Sequence, residues 1–435
     1  MREANLMKAT LAAMILFLCV TAGRAQDDGF PTFYFTTPLN LQSGREFGVL
    51  DGTRKIDDTT MLLTAPTFTL WRPTPRGDLS LTYEPQLQFF GHHGHLSSWN
   101  HGAGLRWGYQ ITPRWSIDAT DQFVATRDNS LRFDSAFLLP RGPYRENAAY
   151  LKLNYAWSAQ TRVRARFDNS FVSFREDHVT RPLFFSRLTH TYGLTVEHRV
   201  NPRSKVTGDY SYLRSHSFEK YDHAGFLIAP YPPTHAAALT YAHNVTPRLL
   251  LEVSGGYVRN RINSYVTSAL VEKRFDRVLI GAGFSRYLSS LGSPATPGIQ
   301  AISGIVLGRS LPPNTISDTA SFRARGDLSN RVGLDLALIG TRTTGLKGED
   351  LKGMMARVRV SYKVADHYAV FGTAQFLGQS ANELLPTAIS RKGVFAGIEY
   401  TFTPTAEALA RRRDEYNNRG GMTSSSADET TREGR

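Results

Sequence analysis

Residues 105–118 read LRWGYQITPRWSID, and this stretch contains the pattern that decides the fold. Its first half alternates between apolar and polar side chains, and the apolar ones are Leu105, Trp107, Tyr109 and Ile111. The sequence Thr-Pro-Arg at 112–114 interrupts the alternation, which resumes at Trp115. A period of two indicates a β-strand, because successive side chains of a strand point to opposite faces. Two such runs joined by a turn predict an antiparallel pair of strands.

The same alternation recurs along most of the chain, in long segments separated by turn signals. We place eighteen segments, at residues 45–54, 60–72, 78–90, 98–111, 114–127, 147–157, 160–175, 187–200, 203–217, 235–245, 248–261, 263–275, 277–288, 314–327, 331–343, 354–364, 368–379 and 391–402. Alternation also fits a soluble β-sandwich, but strands of soluble proteins usually have about 5–6 residues. Membrane-crossing strands need about 9–11 residues, which favours a transmembrane barrel. The first segment is weak, because residues 45–51 barely alternate.

The connections between the segments fall into two alternating classes. Short turns occur at 112–114, 158–160, 201–203, 246–248, 275–277, 328–330 and 365–367. Longer polar connections lie between most of them, for example at 128–146, 218–234, 289–313 and 380–390. Outer-membrane barrels have short turns on the periplasmic side and longer loops outside. We therefore predict an all-β, antiparallel, up-and-down transmembrane barrel with an even number of strands, about 16–18.

The composition excludes other classes of protein. Hydrophobic residues make up 41% of the 435 residues, and the mean hydropathy is -0.31. No apolar run after the N-terminal region approaches the ~18 residues that suggest a transmembrane helix. The formal net charge is +13, but the basic residues alternate with apolar ones instead of forming runs. We therefore expect no nucleic-acid partner.

The N-terminal region has the features of a secretory signal peptide. Arg2 and Lys8 give a basic start, an apolar stretch follows, and small residues precede a cleavage site after Ala25. The only cysteine, Cys19, lies in this segment, which suits export through an oxidising periplasm. We predict a signal peptide at 1–25, a periplasmic N-terminal segment at 26–44, the barrel at 45–402 and a disordered or short helical periplasmic tail at 403–435. The expected location is the outer membrane of a Gram-negative bacterium.

The last alternating segment carries a more specific signal. Its apolar residues run along one face from Val394 to Phe402, and Phe402 closes the segment. Such a strand resembles the C-terminal recognition strand of bacterial outer-membrane proteins. The resemblance implies that Tyr400 and Phe402 belong to a strand recognised by the barrel-assembly machinery, although residues 403–435 follow it.

If the apolar side chains face lipid, the residues between them face the lumen. An arginine facing lipid costs about 2–4 kcal/mol at the membrane midplane, so the rows of arginines are assigned inward. We expect pore-lining side chains at Arg162, Arg164, Arg166, Arg323, Arg325, Arg357 and Arg359. These arginines can form an electropositive channel that attracts anions. Alternatively they can balance inward acids, for which the candidates are Glu84, Asp118, Glu252, Asp335 and Glu399.

No motif indicates catalysis or a cofactor. The densest group of histidines is His92, His93, His95 and His101, in an expected loop without a cysteine or a nearby carboxylate. We therefore expect no metal site. Ser and His are otherwise scattered, with neither a nucleophile elbow nor a phosphate-binding loop. The expected protein is not an enzyme, has no cofactor and no catalytic residues, and is surrounded by outer-membrane lipid.

The stretch from Phe68 to Phe123 resembles a family of outer-membrane β-barrel porins. The likeness is carried by Leu-Thr-Tyr-Glu-Pro at 81–85, by residues 105–118 and by the repeated Thr/Asn-Pro-Arg turns. Members of this family are often associated with exopolysaccharide export loci. The resemblance implies passage or export of small solutes or polysaccharide, with anionic solutes as candidates. Two alternatives are a non-conducting barrel scaffold in a polysaccharide secretion or adhesion system, and a hydrolase at the barrel rim.

Overall fold

The computed structural model describes residues 32–35, 37–51, 54–74, 76–127, 144–174, 186–218, 232–260, 263–288, 316–344, 350–381 and 388–402. In these ranges the chain consists of β-strand segments, their connections and one 3₁₀ turn at Gly94–Leu96. No helix in this part of the chain is long and apolar enough to cross a membrane.

The described part of the chain contains twenty strand segments that join into one sheet. Their bounds are β1 (Thr32–Phe35), β2 (Leu39–Asp51), β3 (Arg54–Thr64), β4 (Phe68–Thr74), β5 (Gly77–Phe90), β6 (Ser98–Thr112), β7 (Trp115–Thr126), β8 (Tyr144–Ala156), β9 (Thr161–Phe174), β10 (Arg187–Asn201), β11 (Ser204–Ser217), β12 (Thr234–Thr246), β13 (Leu249–Arg259), β14 (Ser264–Arg274), β15 (Val278–Leu288), β16 (Ile316–Asp327), β17 (Val332–Thr344), β18 (Leu351–Lys363), β19 (Tyr368–Gln379) and β20 (Ile389–Tyr400). Neighbouring strands pair antiparallel throughout the described sheet.

Two of the barrel strands are interrupted, so the twenty segments make eighteen strands. β3 and β4 both pair with β5, through Thr64 opposite Gln86 and Phe68 opposite Tyr83. β1 and β2 are likewise two parts of one strand, because β1 pairs with β4 and β2 pairs with β3. β2 also pairs with β20, which closes the sheet. The described strands thus form a closed 18-stranded antiparallel barrel, and the predicted fold class is confirmed at the higher strand number.

The connections are sorted between the two ends of the barrel. Short turns lie at the end where β2 begins and β20 finishes, with Leu39 opposite Tyr400. The fully described turns at this short-turn end are residues 113–114, 157–160, 202–203, 247–248, 275–277, 328–331 and 364–367. The connections expected to be long meet the strands at the opposite, long-connection end, and their interiors lie outside the described residues.

The two faces of the sheet differ in composition. One face carries exposed apolar side chains, among them Leu81, Leu194, Leu239, Val253, Met354, Val360 and Ile398. On the other face, side chains meet across an intervening strand: Arg166 of β9 donates a hydrogen bond to Ser211 of β11 at 3.1 Å. Such contacts form on the concave side of a curved sheet. The charged face is therefore the inner face of the barrel, and the apolar face is the outer face.

The first barrel strand begins earlier than the sequence pattern predicts. β1 and β2 include residues 32–35 and 39–44, which were expected to precede the barrel. The register of β2 against β3 shifts between Glu46 and Val49, and Gly48 has a φ of 70°. An extra residue at such a bulge reverses the alternation, which explains why the pattern is weak over 45–51.

The last strand ends at Tyr400, so Phe402 lies two residues beyond the strand that it was expected to close. Its ring packs 4.6 Å from the ring of Phe35 in β1 and 4.7 Å from that of Tyr400. The end of the described chain therefore contacts the start of the first barrel strand. The expected signal peptide at 1–25 and tail at 403–435 lie outside the described residues.

Candidate functional site: the charged inner wall

The seven arginines expected to line a pore all occupy inner-face positions. In β9, Arg164 is opposite Asn154 of β8 and Thr195 of β10, and the arginines on either side of it alternate with apolar residues. In β16 and β18 the arginines flank the inner-face residue Asp335 of β17. The alternation that the sequence shows therefore places two rows of arginines on the inner wall.

Asp335 lies at the centre of a cluster formed by both neighbouring strands. Its Oδ2 atom is 3.6 Å from Nη2 of Arg323 and 4.0 Å from Nε of Arg325. Its Oδ1 atom is 3.5 Å from Nη2 of Arg357. A single carboxylate thus faces three guanidinium groups. The side chain of Arg325 is 67% exposed, so positive charge in this cluster stays accessible.

Arg359 extends the same cluster towards the strands that close the barrel. It is opposite Asp335 in the sheet register and donates to the carboxylate of Glu399 in β20. It also donates to Oδ1 of Asn40 in β2 at 3.3 Å. Its guanidinium carbon lies 3.8 Å from the centre of the buried Phe371 ring, a cation–π contact that helps to fix its position. In this region four guanidinium groups therefore face two carboxylates.

The second row of arginines is held by polar contacts of a different kind. Nε of Arg166 lies 3.0 Å from Oδ2 of Asp168 on the same strand, in addition to the bond to Ser211. Gly193 is opposite Arg166 in β10, and a Cβ atom there would lie 3.0 Å from Nε of Arg166. The absence of a side chain at Gly193 gives the guanidinium room to extend across β10.

A chain of hydrogen bonds links Arg164 to an expected inner acid. Nε of Arg164 donates to Oδ1 of Asn154 at 2.8 Å, and Nδ2 of Asn154 donates to Oδ2 of Asp118 at 2.7 Å. The remaining arginine of this row, Arg162, is opposite Glu197 of β10. The other two acids considered from the sequence, Glu84 and Glu252, lie on the inner faces of β5 and β13.

Acidic residues are nearly as numerous as basic ones across the inner face of the described strands. The acidic ones are Glu46, Asp58, Asp78, Glu84, Asp118, Glu146, Asp168, Glu197, Asp209, Glu252, Glu272, Asp327, Asp335 and Glu399. The basic ones are Arg54, Arg106, Lys152, Arg162, Arg164, Arg166, Arg187, Arg199, Lys205, Arg274, Arg323, Arg325, Arg357, Arg359, Lys363 and Arg391. The positive excess of the inner wall is therefore local, at β9 and at β16 and β18.

A buried ion pair, which the sequence pattern did not reveal, lies where the barrel closes. Nη2 of Arg391 in β20 donates to both carboxylate oxygens of Glu46 in β2 at 2.9 Å. The two side chains are 5% and 2% exposed. Thr60 and Gln375 also donate to this carboxylate, at 3.1 and 3.4 Å. We call these four residues the seam cluster, because they join β2 to β20 and to the strands beside them.

The histidine group has a carboxylate partner that sequence proximity did not suggest. The carboxylate of the buried Asp58 lies 2.9 Å from Nδ1 of His92 and of His93, and it accepts hydrogen bonds from both backbone N–H groups. The ring of His95 is 6.1 Å from that of His93, whereas His101 belongs to the outer face of β6. Among the described residues, no group of three or more potential ligands is placed to hold a metal ion. Asp58 instead anchors the connection between β5 and β6.

Comparison with known proteins finds likeness in structure only. No protein-family model matches the chain, and no curated protein matches it in sequence. Pseudomonas aeruginosa OccK2 (OpdF) in complex with glucuronate is 9% identical, with a TM-score of 0.45 over 84% of this chain and 98% of that one. Acinetobacter baumannii OccAB4 is 11% identical, with a TM-score of 0.43 over 86% and 98%. The unliganded ferric citrate transporter FecA is 10% identical, with a TM-score of 0.39. The match covers 80% of this chain and 60% of FecA, so this chain spans less than two thirds of the length of FecA.

Proposed function

We propose that this chain forms a porin-like passive channel for small solutes in a bacterial outer membrane. The observation that carries the proposal is the combination of an apolar outer face and a charged inner face in one closed 18-stranded barrel. Such an outer face suits lipid, and such an inner face suits water and polar solutes. Barrels of about 16–18 strands are too wide for their own side chains to fill, so they leave an aqueous channel.

We further propose a modest preference for anions, set by local charge rather than by the whole inner wall. At physiological ionic strength, exposed charges more than about 8 Å apart are largely screened from each other. A solute beside β16 and β18 therefore responds mainly to Arg323, Arg325 and Arg357 around the single carboxylate of Asp335. Acids elsewhere on the inner wall contribute less at that point, so anions are favoured there.

Conductance of the purified, refolded chain in a planar bilayer tests the channel. We expect discrete conductance steps and, in a salt gradient, a reversal potential that favours Cl⁻. A folded barrel, identified by heat-modifiable gel migration, that stays silent at all voltages would refute an open channel. That result would favour the non-conducting scaffold role.

Substitutions around Asp335 test the origin of the selectivity in both directions. Replacing Arg323, Arg325 and Arg357 together by Ser should move the reversal potential towards cation preference. Asp335→Asn removes the shared carboxylate, so it should strengthen the preference for anions. Lys392→Ser, on the outer face of β20, is the matched control and should leave the potential unchanged. Equal potentials in all variants would contradict the assignment of selectivity to this cluster.

Passage of polysaccharide and recognition of the last strand by the barrel-assembly machinery remain separate proposals. For the first, a partial block of the current by an acidic oligosaccharide, and none by a neutral one of equal length, would extend the solute class. For the second, the observation in support is that Tyr400 ends β20 and Phe402 packs against Phe35 in the first barrel strand. Replacing both by Ala should slow assembly in cells, and unchanged assembly would contradict that role.

A further inference from the structure

A row of charged side chains lies on the outer face near the long-connection end. Arg286 of β15, Asp318 of β16, Arg342 of β17 and Lys352 of β18 are direct lateral neighbours in the sheet register. They occupy outer-face positions, because they alternate with inner-face residues of the same strands. We call them the cationic row. Charges on the lipid-facing side are costly at the midplane and inexpensive only near the membrane interfaces.

The cationic row lies at the level expected for lipid headgroups. The outer face of β17 below Arg342 is apolar to the beginning of the strand, with Gly340, Leu338, Leu336, Leu334 and Val332. At about 3.4 Å per residue and a tilt of about 40°, this stretch covers about 25 Å along the membrane normal. That is the height of the apolar band of an outer-membrane barrel. Arg342 therefore lies at the upper edge of the band.

Neighbouring groups hold two of the three cations in place. Nη1 of Arg286 lies 3.2 Å from both carboxylate oxygens of Asp318, and its guanidinium carbon lies 4.5 Å from the centre of the Tyr265 ring. Nε of Arg342 donates to Oδ2 of Asp350 at 2.6 Å. Each guanidinium has five N–H donors, so these contacts leave donors available. When Asp350 is counted, the three cations of the row face two carboxylates. The exposed side chain of Lys352 has no charged partner among the described residues, so it carries the remaining positive charge.

A shallow apolar groove runs directly beneath the cationic row. The next outer-face residues of the same four strands are Phe284, Ala320, Gly340 and Met354, again lateral neighbours. Phe284 and Met354 are 44% and 52% exposed and stand on either side of the two small residues. A Cβ atom added at Gly340 would meet nothing within 4 Å, so the space above it is open. The groove is about as wide as two strands and is bounded, one outer-face position further from the charges, by Phe322 and Leu338.

We propose that the cationic row and this groove bind the phosphorylated lipid A part of lipopolysaccharide, with one phosphate at Arg342 and Lys352, the other at Arg286, and an acyl chain above Gly340. The proposal rests on the outer-membrane placement proposed above, in which the long-connection end faces outward. Guanidinium and ammonium groups are well suited to phosphate oxygens. From Arg286 to Lys352 the row spans three strand spacings, about 14 Å, which suits a headgroup with two phosphates better than one with a single phosphate.

Lipid binding by the purified, delipidated full chain tests the proposal. The probes are lipid A with two phosphates, the same lipid without phosphates, and phosphatidylglycerol, each measured by native mass spectrometry. We expect tight binding of phosphorylated lipid A alone. Arg342→Ser with Lys352→Ser should weaken it about tenfold or more, because each cation supplies a charge-assisted contact. Gly340→Leu should also weaken it by filling the groove, whereas Lys273→Ser, on the outer face at the short-turn end, is the control and should not.

Each contrary result has a defined meaning. Equal binding of lipid A with and without phosphates, or unchanged binding by the double variant, would overturn the site. Phosphatidylglycerol binding as tight as that of lipid A would overturn the choice of a two-phosphate glycolipid. Bilayer conductance of the same preparations is measured in parallel. Conductance without selective lipid A binding would reject the lipid site alone, and absence of conductance with binding intact would reject the channel alone.

Discussion

Glu46→Gln should destabilise the barrel at the seam where β2 meets β20. The substitution keeps the size of the side chain and removes its charge. In the structure the carboxylate accepts two hydrogen bonds at 2.9 Å from Arg391, and both side chains are almost completely buried. Because Thr60 and Gln375 also donate to this carboxylate, the change affects four strands at once. The variant therefore removes the negative charge that pairs with the buried guanidinium of Arg391.

The expected loss of stability follows from the burial of the pair. Removing one partner of a buried ion pair costs about 3–5 kcal/mol, because the other charge stays buried and uncompensated. Replacing both Glu46 and Arg391 by Met should recover most of this loss, since buried ion pairs often give little net stability over apolar residues of similar size. The exposed pair of Arg248 and Asp276, 2.6 Å apart in a short turn, provides the control. Asp276→Asn should cost less than about 1 kcal/mol.

Urea unfolding of the protein in lipid vesicles, followed by tryptophan fluorescence, measures these differences. Unboiled samples on a gel give an independent measure, because the folded barrel should convert to the unfolded form at a lower temperature in Glu46→Gln. If Glu46→Gln unfolds like Asp276→Asn, the seam cluster does not stabilise the closure. If the double Met variant is no more stable than Glu46→Gln, the loss is not due to an uncompensated charge.

Two further substitutions test other local features. Gly48→Ala should destabilise the barrel by about 1–2 kcal/mol or more, because Gly48 has a φ of 70° and its new Cβ would lie 2.1 Å from the carbonyl oxygen of Ser390. Gly255→Ala, where a Cβ meets nothing within 4 Å, is the control, and equal urea midpoints for the two variants would contradict this explanation. Asp58→Asn should speed hydrogen exchange at the amides of His92 and His93 about tenfold or more, because an amide side chain has one acceptor oxygen instead of two. Unchanged exchange would show that the connection is held by other contacts.

Sequence periodicity predicted the features that depend on local order along the chain. The alternation and the inward rows of arginines follow from the period of a strand and are visible within one segment. The two classes of turn are visible in the short stretches between consecutive segments. The bulge at Gly48 shows where this approach fails, because an extra residue exchanges the two faces and removes the pattern. The pair of Glu46 and Arg391 shows the second limit. Its members are 345 residues apart, and only closure of the barrel brings them together.

The net charge of +13 suggested an electropositive lumen, but its distribution between the two faces leads to a different conclusion. Acids and bases nearly balance on the inner face, whereas the outer face of the described strands carries far more bases than acids. The outer bases are Arg45, Lys55, Arg72, Arg145, Arg214, Arg259, Lys273, Arg286, Arg342, Lys352 and Lys392, and the outer acids are Asp57, Asp121 and Asp318. A cation near the membrane interface can bind an anionic headgroup, and the same cation cannot attract a solute through the barrel wall, because screening limits its reach. The proposed anion preference therefore depends on local groups such as the cluster around Asp335, while much of the net charge lies on the outer face.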